Sequence, residues 1–63
     1  MTPTDQHWTL QCAAEYGGSF YRALGCAGLL ADPSNRAKIF ATWPDLVTDY
    51  GPATQLHRQL RAR

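Results

Sequence analysis

A chain of 63 residues with 17% charged side chains and a net charge of +1 carries no field that would point to a polyanion partner or to a polyanion mimic. Apolar residues make up 44%, enough for a core and too many for a disordered segment. At this length folding buries only about 60% of the unfolded surface, so one marginally stable domain is expected, with self-association or a permanent partner as the natural supplement.

The start, MTPTDQHW, has neither a basic n-region nor an apolar h-region. No apolar run reaches the roughly 18–20 residues of a membrane span. With two cysteines and no export signal, the expectation is a reduced, cytoplasmic protein whose Cys12 and Cys26 are free thiols, with no membrane partner.

In chain order, Pro3-Thr4-Asp5 opens a first helix, with Thr4 or Asp5 as the capping acceptor. Trp8, Cys12 and Tyr16 recur at i, i+4, i+8 along it, and Gly17-Gly18 ends it in a left-handed cap. Ser19 is the expected cap of a second helix, SFYRALGCAGLLA, apolar on a wide face. Gly25 and Gly28 each cost about 1 kcal/mol against alanine there, so close approach of a neighbour is predicted. This segment, 19–31, is expected to be the central, most buried helix.

Asp32-Pro33 is the sharpest punctuation: a cap followed by a first-turn proline. A third helix runs from it to about Thr42, with Ala37, Phe40 and Trp43 inward and Arg36 and Lys38 outward. Pro44 disfavours helical geometry at Trp43, placing a corner there. Pro44-Asp45 opens a short helix bearing Leu46, Val47 and Tyr50, and Gly51-Pro52 stops it. The rest is a basic tail or short helix, residues 53–63, that docks by Leu56 and Leu60 or frays. The expected architecture is all-α: a compact bundle of about four short helices over 1–52, cored by Trp8, Phe20, Leu24, Leu30, Phe40, Trp43 and Val47.

Chemistry is sparse. Cys12 and Cys26 lie fourteen apart and His7 and His57 at opposite ends, unlike the close pairs of zinc sites, so no metal is expected and the histidines read as surface groups. The glycines at 17–18 and 25–28 match neither a dinucleotide nor a P-loop spacing. A substrate cavity of ~300 Å³ or more is hard to fit beside so small a core, and no enzyme or cofactor is expected. Residues 19–43 could form a helix-turn-helix unit reading DNA through Asn35, Arg36 and Lys38, but Asp32, Asp45 and Asp49 count against it. Arg58, Arg61 and Arg63 give residues 51–63 a local charge of +3, which could touch phosphate or simply solvate the end. A core this small cannot enclose all of Trp8, Phe20, Tyr21, Phe40, Trp43 and Tyr50, so one or two are expected outside, beside Leu46 or Tyr21, as a binding patch.

The stretch EYGGSFYRALGCAGLLADPSNRAKIFATWPDLVTDYGP, residues 15–52, resembles a loose group of short phage and prophage proteins. They share a YGGSF turn, an apolar helix, an ADP-N step and a W/F-P-D/E corner ending near Tyr-Gly. The shared motifs are caps, turns and corners, so they speak for fold before activity. The resemblance implies a protein that binds a host complex in the bacterial cell and blocks it sterically, as anti-CRISPR proteins do to CRISPR effectors. The surface expected to do so combines Asp45, Asp49 and Tyr50 near the corner with Arg36 and Lys38, then Arg58 and Arg61. A homodimer, a DNA-binding regulator and a structural accessory phage protein are the other readings.

Overall fold

The computed structural model describes all 63 residues, 79% of them in five helices and none in strands. These are α1 (Pro3–Tyr16), α2 (Ser19–Leu30), α3 (Pro33–Thr42), α4 (Asp45–Tyr50) and α5 (Gln55–Ala62). The all-α bundle expected from the sequence is found, with the C-terminal segment as a fifth, docked helix. No helix is long and apolar enough to cross a membrane.

α1 opens on a reciprocal cap one step earlier than the sequence suggests. Thr2 accepts from the Asp5 amide at 3.0 Å, and the Thr2 amide donates to the Asp5 carboxylate at 3.2 Å. With Pro3 at the first helical position, Asp5 falls at the third, where its carboxylate reaches back. Asp32 caps α3 as expected, its Oδ1 accepting from the Asn35 amide at 2.8 Å. α2 has no side-chain cap: Gly18, rather than Ser19, occupies the capping position. The α1 end also differs from expectation, because Gly17 takes an extended conformation (φ −72°) and no residue has positive φ. The chain therefore leaves α1 sharply and turns back along it.

The central element is α1, not α2. Leu10, Cys12 and Ala13 of α1 are fully buried, joined by Leu46 of α4 and Leu60 of α5. α2, α4 and α5 all pack on α1, and α3 packs on α2. Each fully buried leucine contributes about 1.5–3 kcal/mol relative to exposure. The expected core is corrected accordingly. Leu24, Phe40 and Trp43 are half-buried against Leu10, Ala13 and Leu46, and Trp8 is half-buried too. Phe20 is 54% exposed, Leu30 89% and Val47 36%. Ala37, also read as inward, faces solvent. In a bundle of five short helices each helix keeps an outer face, and apolar residues on it stay outside.

Two glycines explain how α1 and α2 meet. A Cβ on Gly25 would stand 2.6 Å from the Leu10 carbonyl oxygen and 2.7 Å from the Ala14 amide nitrogen. One on Gly28 would strike the Leu10 side chain. The helix propensity lost at both positions is thus offset by backbone approach and by burial of Leu10, as their spacing predicts.

α5 docks by His57 and Leu60, both buried, while Leu56 stays 40% exposed. His57 is therefore not a surface imidazole. Its Nδ1 lies 2.9 Å from the Tyr50 carbonyl and its Nε2 3.3 Å from Arg61 Nη1. Arginine can only donate, so Nε2 accepts and Nδ1–H donates to Tyr50. Arg61 also pairs with Asp5 at 2.8 Å, and Arg63 with Glu15 at 2.9 Å. These two pairs tie the last turn of α5 to both ends of α1.

Candidate interaction surface

α2 is apolar on nearly every side: Arg22 is its only charged residue. Its inner face spends Gly25 and Gly28 on α1. On the opposite face Phe20, Ala23, Ala27 and Leu30 follow at i, i+3, i+7, i+10, and all four are exposed. This is a seam of the kind that seats another helix, and it carries no charge.

Beside that seam α3 runs back along α2. Phe20 stands edge-on to Trp43 with ring centroids 5.7 Å apart. At the other end the Arg36 guanidinium reaches the last carbonyls of α2, Nε donating to Gly28 at 3.1 Å and Nη2 to Leu29 at 3.4 Å. Below Trp43 an open groove of about 430 Å³ runs between the two helices toward their connecting turn. Ala27, Leu30 and Ala31 form its α2 wall, and Asn35, Lys38, Ile39, Thr42 and Trp43 its α3 wall. Lys38 is the one charged side chain in it, and it has no ion-pair partner. A smaller cleft of about 380 Å³ near the starts of α1 and α3 contains only Arg36 as a charged group, already held by α2.

The residues expected to form the binding surface are scattered. Lys38 is exposed in the groove. Arg36 is half-buried and committed to α2 carbonyls. Asp45 and Asp49 are exposed on α4 without ion pairs, and Asp45 lies in the first turn, where a carboxylate suits the helix dipole. Tyr50 is half-buried, its ring 6.0 Å from that of Tyr21 and its phenol pushed up in pKa by burial and by nearby Asp49. Arg58 is exposed and unpaired, whereas Arg61 is paired with Asp5. Only Lys38 of these seven joins the apolar surface.

Leu46, expected beside the exposed aromatics, is fully buried instead. The aromatics more than a third exposed are Phe20 and Tyr16, and the surface partner of Phe20 is Trp43. Of the seam residues, Phe20 and Leu30 are expected from the sequence in the core, and Ala27 only on the wide apolar face of α2. Their signal was there: a helix apolar all round needs cover on all sides, and α1 and α3 cover only part of α2.

Nothing nucleophilic or metal-binding gathers elsewhere. Burial raises the pKa of the Cys12 thiol, with Glu15 adding to the effect, so this sulfur is held in its unreactive protonated form. Cys26 is exposed on α2, and no group of three or more His, Cys, Asp or Glu side chains could hold a metal ion. No protein-family model matches the chain, nor does any curated protein or solved structure.

Proposed function

We propose that this chain is a binding protein that acts by seating its α2–α3 face on a larger protein partner and blocking what that partner would otherwise engage. The observation that supports this reading is the uncharged seam of Phe20, Ala23, Ala27 and Leu30, open to solvent and continuous with the groove below Trp43. Aromatic and aliphatic anchors around a concave strip are how small interfaces concentrate their energy. Leu30, 89% exposed in so small a chain, has no structural use within it.

The resemblance of residues 15–52 to short phage and prophage proteins adds the class of partner: a host complex, with a CRISPR effector as the most specific candidate. Arg36, a contact the DNA-binding reading would need, is already spent on α2 carbonyls, which favours a protein partner over a nucleic acid.

The test is an affinity capture from bacterial lysate with nuclease treatment and a wash at about 0.3 M salt, where exposed charge contacts are largely screened. The wild type is compared with Leu30→Glu, a change at an exposed position that leaves the fold intact. A stoichiometric protein retained by the wild type and lost by Leu30→Glu is the expected result. Retention of nucleic acid alone, removed by nuclease or salt, would sink the proposal.

A further inference from the structure

Resting on that reading, we infer that the element seated in the α2–α3 groove is an amphipathic partner helix carrying one carboxylate, Asp or Glu, in the middle of its apolar face. The groove is open along its top, with Leu30 unroofed, so it fits a rod rather than an enclosed small molecule. α3, ten residues long, gives it a wall of about 15 Å. That length takes two to three turns of a guest helix, read by anchors at i, i+3/i+4 and i+7.

The carboxylate follows from where Lys38 sits. Phe20 meets Trp43 and Gly28 meets Arg36, so α2 and α3 run in opposite directions. Lys38 therefore stands level with the middle of the seam, lining the groove together with Ala27. An apolar guest laid there would strip part of the water from an unpaired ammonium, a cost that an opposite charge on the guest would offset. A central Asp or Glu turns that cost into a register mark.

The same geometry argues against a second copy as the guest. A two-fold that packs α2 antiparallel on itself brings the two Lys38 side chains together. A parallel two-fold sets Lys38 over a helix whose only charge is Arg22. Neither α2 nor the stretch between Asp32 and Asp45 offers an acid.

The experiment is a display selection of helix-constrained random peptides against the full chain, with Leu30→Glu as the counter-selection. Affinities are then read by fluorescence anisotropy. Peptides that bind the wild type and not Leu30→Glu should share an Asp or Glu with apolar residues three or four positions away. Replacing that acid by Gln should weaken them about two- to fivefold, the scale of a partly exposed ion pair. Lys38→Glu, at an exposed position, should reverse the preference and select Lys or Arg. Groove binders with no acid, or an affinity indifferent to Lys38→Glu, would overturn the inference, as would the absence of any Leu30-dependent binder. Concentration-dependent dimers in sedimentation, abolished by Leu30→Glu, would overturn it in favour of a second copy. A captured cellular partner lost by Leu30→Glu but retained unchanged by Lys38→Glu would leave the proposed function standing and remove only the acidic helix.

Discussion

The Cα of Gly25 on α2 rests against the Leu10 carbonyl of α1 so closely that a single added carbon would lie 2.6 Å from its oxygen. Gly25→Ala should therefore destabilise the fold by about 1–3 kcal/mol, although alanine is the better helix former by about 1 kcal/mol. Gly28→Ala should cost less, because the obstacle there is a leucine side chain rather than backbone. Gly18, with nothing near a would-be Cβ, is the contrast. Gly18→Asp supplies the missing α2 cap and should add a few tenths of a kcal/mol. Urea denaturation of the three variants checks the order, and a neutral Gly25→Ala would refute the close-packing account.

The α5 attachment should loosen in acid. Asp5 is held below the usual carboxylate range by hydrogen bonding from Arg61 and by the Thr2 amide, and Glu15 by hydrogen bonding from Arg63 and then Gln11. Both folded pKa values are depressed, so their contribution is complete above the unfolded values, about 3.9 and 4.3. It is lost as pH falls through the folded values. Protection of α5 amides, relative to their intrinsic exchange at each pH, should fall below about pH 4 while that of α1 is kept, and added salt should mimic part of the effect. Uniform exchange across both helices would count against it.

His57 should occupy the Nδ1–H tautomer at neutral pH, readable from its two ring nitrogens by NMR. His57→Leu leaves the Tyr50 carbonyl without its donor and should cost about 1–3 kcal/mol. His57→Asn, whose amide can still donate near the Nδ1 position, should recover part of the loss. Equal destabilisation by both would mean that ring packing, not the hydrogen bond, is what holds α5.

Thiol labelling should separate the cysteines. Cys26 is exposed, and Cys12 is buried with its pKa raised by that burial. Under native conditions one equivalent should react promptly and the second only at the rate of unfolding. Gly25→Ala should hasten the slow phase and leave the fast one unchanged. Two fast equivalents would place Cys12 outside the core.

Helix boundaries were legible because their punctuation is local. Asp32-Pro33, Trp43-Pro44 and Gly51-Pro52 act within a few residues, and each ends or begins a helix where expected. The close approach at Gly25 and Gly28 was legible for the same reason: two costly residues three apart demand a neighbour. Which helix lies at the centre was not. α1 has a mixed sequence and α2 an apolar one, so composition favours α2, whereas burial depends on how many neighbours a helix has. Three helices converge on α1, and that choice is made by packing and by distant pairs such as Arg61–Asp5. His57 was misread likewise, because its partner Tyr50 becomes a neighbour only once α5 folds back. The groove escaped notice because its walls come from both sides of a turn, and only Lys38 of the expected surface residues belongs to it.

Arg36 gives the groove a property beyond shape. Its guanidinium spans from α3 to two carbonyls at the end of α2, reaching Leu29 and joining the Ala31 amide on Gly28. The Phe20–Trp43 pair closes the other end. α2 and α3 are thus tied to each other at two places before anything arrives. Ties between the two helices lower the ordering entropy that binding would otherwise cost on this side of the encounter. Cutting the Arg36 tie, with Arg36→Met keeping the side chain's bulk, alters no residue that lines the groove. What it should change is the lifetime of the complex, through the freedom of α3 to swing.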